Sequence, residues 1–387
     1  MKPIESNTVN LITKKLDDAC FIDFGTRVVQ KKDGGNIYPV YGGGGATFKM
    51  DTYNRENCLV VSRFAMSKQC TRFVEGKFYL NDSGLTVRPK NEKELAQEYL
   101  DYLLLTLNDT IYSLSRGTAQ RNLNVSKFRN LIINYPDSKE LQLHIANLLS
   151  KAENLIAQRK ESIRLLDEFL KSTFLEMFGS MNEKNFPLER LDDVSSKIND
   201  GEHGSVEKTE SGVLYLMARN ITHNNTMDFK EISYVSKEAH DKMYKRCNPE
   251  AGDILIVCVG ATIGKVAIVP KMEEFSIARS VALVKPNYKH VNSQYLLGFF
   301  NSEYAKRQIK KSSLAAAQAG LYIGKIKEIK IPVPPIELQT QFAQIVEKTE
   351  ALKTQYQQSL QELENLYGSL SQKAFRGELS VKQEAVQ

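Results

Sequence analysis

A mixed α/β (α+β) fold is predicted by this sequence: two similar globular domains separated by a long antiparallel two-helix coiled coil and related by a pseudo-twofold internal repeat. Three observations carry that expectation: a long-range duplication, an alternation between two sequence textures, and heptad spacing in the second texture. The stretch AQAGLYIGKIKEIKIPVPPIELQTQF, residues 317–342, has a degraded copy, AQRNLNVSKFRNLIINYPDSKELQLHI, beginning at residue 119. At a shift of 197 residues Leu141-Gln142 falls on Leu338-Gln339, Ala146 on Ala343, Lys151 on Lys348 and Glu153 on Glu350. The same shift lays FYLNDSGLTVRP (78–89) on FSIARSVALVKP (275–286), with Phe78 over Phe275, Ser83 over Ser280 and Lys68 over Lys265. Nearer the N-terminus the register slips, since LDD at 16–18 matches LDD at 191–193 only at a shift of 175. The halves therefore differ in length in their N-terminal parts.

The expected partition is a first globular domain over 1–137, a first helical region over 138–180, a second globular domain over 181–336, and a second helical region with the C-terminal tail over 337–387. The globular parts hold short apolar runs broken by glycine and proline: CLVVSRF, KFYLNDSGLTV, GVLYLMARNI, DILIVCVG, KVAIVP and SVALVKP. These predict strands, with short helices near QEYLDYLLLTL and SQYLLGFFNSEYAKRQIKK. Residues 138–179 and 337–376 contain no proline and almost no glycine, and predict long helices.

Both helices carry a seam. In the first, Ile145, Ala152, Arg159, Leu166 and Thr173 recur every seven residues, as do Leu149, Ile156, Ile163, Leu170 and Met177. In the second the series are Phe342, Thr349, Tyr356, Leu363, Leu370 and Val346, Lys353, Leu360, Tyr367, Ala374. Alternating steps of three and four residues are the pattern of a coiled coil. At ~1.5 Å per residue each helix is roughly 60 Å long, enough for a rigid spacer. Two amphipathic helices lying on their own globules are the alternative. Lys353 and Arg159 depart from an apolar seam, as partner contacts or as side chains whose charged ends reach out to water.

Composition sets mild bounds. The chain of 387 residues supports two or three domains, and 42% hydrophobic residues fills their cores. A net charge of +6 and pI near 8.8 permit a nucleic-acid partner without demanding one. Five cysteines with no C-x-x-C pair argue against a disulfide framework and a structural zinc site, and fit a reducing cytoplasm. No apolar run approaches a membrane span. Catalytic motifs are missing as well. PVPPIE and NYPD do not fit the Asn/Asp-Pro-Pro-aromatic loop of a DNA methyltransferase. GATIGKV, Gly260 to Val266, is one residue short of a phosphate loop and ends on Val266 rather than a hydroxyl. YGGGGATF, Tyr41 to Phe48, lacks dinucleotide-loop spacing. His144, His203, His223, His240 and His290 form no metal-ligand pattern.

Basic residues interleave with glycine and aromatics in both halves: Arg63, Phe64, Lys68, Arg72, Phe73 and Lys77 in one, Thr262, Lys265, Arg279 and Lys285 in the other. Lys and Arg on loops neutralise phosphates, while Arg, Asn, Gln and hydroxyl side chains read base edges. The glycines of YGGGG, DGEHGS and GATIG let backbone approach a duplex closely. A pair of duplicated globules with a spacer and no catalytic motif suggests a DNA-measuring role.

INDGEHGS, GDILIVCVGATIGKVAIV, SIARSVALVKP and QAGLYIGKIKEIKIPVPPIELQTQFAQIVEK together resemble the specificity subunit of Type I restriction-modification enzymes. YPVYGGGGATF, RENCLVVSRF and GKFYLNDSGLTVRPK make the first half similar to a target-recognition domain of that family. The resemblance runs from about residue 14 to 378. It implies two target-recognition domains, each reading one half of an asymmetric bipartite DNA site, with the helical pair fixing the gap. It implies a non-catalytic chain without its own cofactor, partnered by double-stranded DNA, two modification subunits carrying S-adenosylmethionine for adenine methylation, and restriction subunits that cleave. DNA-facing positions implied in the first domain are Tyr41, Gly43, Gly44, Arg63, Lys68, Asn81 and Ser83. In the second they are Asp200, His203 and Ser205 of DGEHGS, then Arg219, Asn220, Thr262, Lys265 and Arg279. No catalytic or metal-binding residue is expected. NDSG stands where the second half has ARSV, so roles cannot match residue by residue. A DNA-acting enzyme, whether a nuclease or a self-contained restriction-methylation protein, and a coiled-coil adaptor without sequence specificity stay open as alternatives on the sequence.

Overall fold

The computed structural model describes residues 9–118, 120–179, 186–314 and 320–379. Ala119 and residues 317–319, which open the two copies of the repeated stretch, the junction at 180–185 and the tail beyond 379 lie outside the described residues. The chain divides into two compact units, one of residues 1–160 with 358–387 and one of residues 161–357. The division falls inside both long helices, so each unit contains a segment of each.

The first unit opens with β1 (Leu11–Lys15), α1 (Leu16–Ala19), β2 (Cys20–Phe24), α2 (Gln30–Asp33), β3 (Tyr38–Tyr41), β4 (Ala46–Met50) and β5 (Arg55–Ser62). There follow β6 (Thr71–Leu80), β7 (Gly84–Pro89), α3 (Gln97–Thr106), α4 (Asn108–Ser113), β8 (Ser115–Arg116), β9 (Asn122–Leu123), α5 (Val125–Arg129), β10 (Ile132–Pro136) and the long α6 (Lys139–Phe178). A six-stranded sheet runs β2-β7-β5-β6-β3-β4, and β1 pairs separately with β10. Leu59, Val61 and Leu85 pack inward against Tyr99, Leu100, Leu103 and Leu104 of α3. Ile145 and Leu149 of α6 and Ala374 of the second long helix close the same core.

The second unit repeats this plan with β11 (Leu188–Arg190), β12 (Ser195–Asp200), β13 (Val213–Leu216), β14 (Ser233–Val235), α7 (Lys237–Arg246), β15 (Ile254–Val257), β16 (Val266–Ile268) and β17 (Ser276–Ile277). β18 (Val281–Pro286), α8 (Ser293–Asn301), α9 (Glu303–Leu314), α10 (Ile323–Lys327), β19 (Lys330–Pro332) and α11 (Ile336–Phe375) complete it. Here the sheet divides into β12-β18-β15-β16 and β14-β13-β17. Pro270 supplies the physical reason, because a residue without an amide hydrogen interrupts the strand that runs unbroken as β6 in the first unit.

Registers show that the units are copies. β3 pairs in parallel with β6 through Val40 and Tyr79, and β13 with β17 through Tyr215 and Ser276. Cys20 faces Pro89 as Ser195 faces Pro286. A buried glutamine fixes the start of each long helix. Gln142 accepts from the Ala96 amide at 2.8 Å and donates to the carbonyls of Glu94 and Pro136 at 2.8 and 2.7 Å. Gln339 does the same with the Asn292 amide and the carbonyls of His290 and Pro334, at 3.0, 2.8 and 2.9 Å. Both side chains are fully buried, so each amide satisfies backbone groups that would otherwise lack partners.

Within each unit the two long helices run antiparallel, and every seam position named above is buried or half-buried. In the first unit Tyr367 donates to Glu153 at 2.7 Å, and Lys160 pairs with Glu364 at 2.8 Å. In the second, Phe342 meets Phe174 and Phe178 with ring centroids 5.3 and 5.5 Å apart. Edge-to-face pairs of this kind contribute roughly 0.5–1.5 kcal/mol each beyond their burial. Lys353, the charged seam residue, lies 2.5 Å from Asp167 of α6. It is an ion pair between the helices.

Candidate nucleic-acid interface

In the first unit the loops after β2, β3, β5 and β6 converge. The Gly25 amide donates to the Gly84 carbonyl at 3.1 Å. A Cβ on Gly25 would lie 2.0 Å from the Asn81 carbonyl oxygen, so only glycine fits. Ser83 Oγ accepts from the Gly43 amide at 3.2 Å and donates to Asn81 Oδ1 at 2.5 Å, while Ser62 Oγ donates to the Gly43 carbonyl at 2.6 Å. Arg72 clamps the glycine loop from below, its guanidinium donating to the carbonyls of Gly43 and Gly44 at 3.0 and 2.5 Å. Arg63 is held by its amide on the Ser83 carbonyl at 2.8 Å. Its guanidinium sits 4.9 Å from the Phe24 ring and 4.6 Å from the Phe64 ring, a cation–π sandwich that orients the fork in advance.

The structure thus brings Gly43, Gly44, Arg63, Asn81 and Ser83 together. Tyr41 precedes them, half-buried with its ring edge on Phe78 at 5.5 Å. Lys68 stands apart on the exposed β5–β6 loop, where its carbonyl accepts from Asn108 at 2.8 Å. The four glycines are not equivalent. A Cβ on Gly43 would come within 2.4 Å of the Phe64 carbonyl, whereas one on Gly44 or Gly45 meets nothing within 4 Å. Gly43→Ala is therefore expected to destabilise the unit by roughly 2 kcal/mol or more through forced backbone movement. Gly44→Ala should leave the melting temperature unchanged, because the added methyl meets nothing within 4 Å, yet weaken DNA binding about tenfold, the result expected of a loop whose open side receives a duplex. Thermal melts and binding titrations of both variants check the pair; equal effects on both measurements would contradict it.

The second unit rebuilds the frame. Gly201 replaces Gly25, and a Cβ there would lie 2.0 Å from the Ile277 carbonyl. Ser280 Oγ accepts from the Ala218 amide at 3.2 Å, as Ser83 accepts from Gly43. The Ser280 carbonyl accepts from the Cys258 amide at 2.8 Å, as Ser83 accepts from Arg63. On this shared frame the occupants differ. Arg63 is matched by buried Cys258, Gly44 by exposed Arg219, and Asn81-Asp82 by Ala278-Arg279.

Asp200 is held between His203 Nε2 at 2.6 Å and Arg246 at 3.0 Å, leaving His203 and Ser205 exposed on the following loop. Arg219 donates to Ser233 Oγ at 3.0 Å and the Glu231 carbonyl at 3.3 Å from a solvent-facing position. Asn220 is only 2% exposed. Its Nδ2 donates to the carbonyls of Asp228 and Glu231 and its Oδ1 accepts from Met217, so it positions the turn bearing Arg219. Arg279 is exposed, its amide donating to the Glu202 carbonyl at 3.1 Å. Thr262 and Lys265 share the β15–β16 turn, where the Lys265 amide donates to Thr262 at 3.2 Å.

Three features differ from the sequence expectation. Lys68 is not the counterpart of Lys265. The Ser62 amide bonds Cys70 as the Val257 amide bonds Lys265, both at 2.8 Å, so the counterpart is Cys70. Lys285 does not face a ligand, since it pairs inward with Asp253 at 2.7 Å and Glu250 at 3.0 Å. Arg72 is engaged with the glycine loop. Composition reveals charge but not partners, which is why the engagement of Lys285 and Arg72 was unreadable. The glycine pair was readable: IDFG at 22–25 and INDG at 198–201 are copies.

Burial pushes the thiols of Cys20, Cys247 and Cys258 up to about 12 and those of Cys58 and Cys70 up to about 11. They are protonated at neutral pH and are not poised as nucleophiles. Among the described residues no helix is long and apolar enough to cross a membrane.

The Type I restriction modification DNA specificity domain matches residues 10–165 and 184–365. The Type I restriction enzyme EcoBI specificity subunit of Escherichia coli is 32% identical over 160 residues, 40% of this chain and 33% of that protein. The chain thus spans about a third of that relative's length. The MjaVIII specificity subunit of Methanocaldococcus jannaschii is 23% identical over 80% of this chain and 76% of its own length. The Type I restriction-modification S subunit of M. genitalium superposes with a TM-score of 0.64 at 19% identity, covering 97% of this chain and 98% of that one, a likeness of fold. Matched across both units, the chain belongs to the family of Type I restriction-modification specificity subunits, non-catalytic proteins that provide the DNA sequence specificity of their systems.

Proposed function

We propose that the chain reads an asymmetric, bipartite DNA site, one half per unit, and directs adenine methylation or cleavage by partner subunits. One observation supports this above the rest: the same backbone frame, held by Ser83 in one unit and Ser280 in the other, carries different side chains at matching places. Copies of a frame that differ at Arg63/Cys258, Gly44/Arg219 and Asp82/Arg279 suit two different half-sites, with these loops and Lys68, Asp200, His203, Ser205, Thr262 and Lys265 turned to the duplex. Phosphate contacts fix register and base-edge contacts choose the sequence.

The long helices set the gap between half-sites. Two modification subunits carrying S-adenosylmethionine dock on them, using exposed apolar side chains such as Leu155, Leu165, Phe169 and Leu366, and restriction subunits join that complex in the cytoplasm. Selection of random duplexes by the chain bound to its modification subunits tests the proposal. The expected result is two short motifs at one fixed separation. A contiguous motif, or binding indifferent to sequence, contradicts it.

A further inference from the structure

We infer that α9 is a phosphate-gripping helix that extends the DNA footprint of the second unit beyond its recognition loops, an inference that rests on the two-half-site function proposed above. Lys306, Arg307, Lys310 and Lys311 are all exposed on α9. They fall in two i, i+4 rows, Lys306 with Lys310 and Arg307 with Lys311, so like charges stand one turn apart and repel. Glu303 partners Lys306 at 3.2 Å, and among the described residues the other three cations have no ion pair. A helix that gathers mutually repelling cations on its solvent face is suited to a polyanion.

Its placement points to which polyanion. On the buried side, Ile309 lies against the β15–β16 turn, with its Cγ2 3.2 Å from where a Cβ on Gly264 would sit. Gly264 adopts φ of +89°, so glycine is required both for its backbone and for the close approach of α9. The basic helix is therefore packed directly onto the turn bearing Thr262 and Lys265. Gln308 locks it from another direction, donating to the Lys330 carbonyl and accepting from the Lys330 amide, both at 2.8 Å. Each link makes α9 a fixed extension of the recognition loops.

Among the described residues of the first unit, the helix that follows α3 carries no such basic row. That helix, α4, reads NDTIYS, buries Ile111 as α9 buries Ile309, and contains one aspartate and no cation. The second half-site should accordingly carry the larger share of the salt-dependent affinity. Rigid cations beside a reading loop hold the backbone in register without contributing sequence information.

The test compares the full chain, bound to its modification subunits, with a variant carrying Lys306→Gln, Arg307→Gln, Lys310→Gln and Lys311→Gln. Binding to a duplex bearing the methylated motif and to a scrambled duplex is titrated over a range of salt. Each lost phosphate contact lowers the slope of log affinity against log salt by about 0.9. The expected result is a slope shallower by about 3.6, weaker binding to both duplexes, and an unchanged methylated sequence. A set of Lys306→Arg, Lys310→Arg and Lys311→Arg substitutions should keep the original slope, separating charge from side-chain packing. An unchanged slope in the Gln variant overturns the inference, as does loss of the modification subunits on purification, which would make α9 a protein-docking face. A wild-type complex that binds both duplexes alike overturns instead the underlying two-half-site function.

Discussion

Replacing residues 187–335 by the corresponding segment of a relative with a different target is expected to change one half of the methylated motif and leave the other half and the gap untouched. The structure makes this a clean exchange. The segment holds the frame of Gly201, Ser280 and Ala218 together with the loops that vary around it, and its first and last strands, β11 and β19, pair with each other. Gln339 and the seam of α11 lie outside the exchanged residues. Each wrong base pair costs about 1–3 kcal/mol. Three mismatched positions would remove methylation of the old half-site by more than a hundredfold. Methylation mapping of the exchanged chain checks the outcome; a change in both halves, or in the gap, would count against independent reading.

The second large effect concerns length. Deleting one heptad from α6 and one from α11, chosen so that the Tyr367–Glu153 and Lys353–Asp167 pairs both survive, should shorten the preferred gap while both half-sites stay the same. Seven residues are nearly two helical turns, so the seam keeps facing its partner. At ~1.5 Å per residue the loss is about 10.5 Å, close to three base pairs. Three base pairs also rotate the half-sites by roughly 100° at 10–10.5 base pairs per turn, so the methylation rate should fall as well. An unchanged gap in methylated DNA would remove the helices' measuring role.

The heptad pattern was legible because a seam is a periodic property. Ile145, Leu149, Phe342, Val346 and Ala374 are buried where the count puts them. Lys353 could be placed on the seam but its partner could not, since Asp167 is 186 residues away in sequence. Strands such as Ile254–Val257 and Val281–Pro286 were legible as apolar runs bounded by glycine or proline. Exact correspondence between the halves was not, because the stretch from Lys265 to Ile277 is two residues longer than its counterpart from Cys70 to Leu80, and the alignment slips by two residues within it. That slip set Lys68 over Lys265 and hid the match of Arg63 with Cys258.

Helix α7 was missed although Ser236 caps it, its hydroxyl accepting from the Ala239 amide at 3.2 Å. A short polar helix whose buried residues are His240 and Met243 shows too little periodicity to stand out. The candidate site was legible as loops, through glycine, serine and basic residues repeated in both halves. The direction each side chain takes was not. Asn220 and Arg72 look like base or phosphate readers by type, but both hydrogen-bond their own backbone, because a loop carrying an exposed arginine or glycine must itself be held.

The central claim is that sequence specificity resides in this chain and is split between its two halves. Adenine methylation should be mapped by single-molecule sequencing in cells that express the chain with its modification subunit and in cells that lack the chain. A split, asymmetric motif present only with the chain is the predicted result. Methylation that is absent, contiguous, or the same without the chain would contradict the claim.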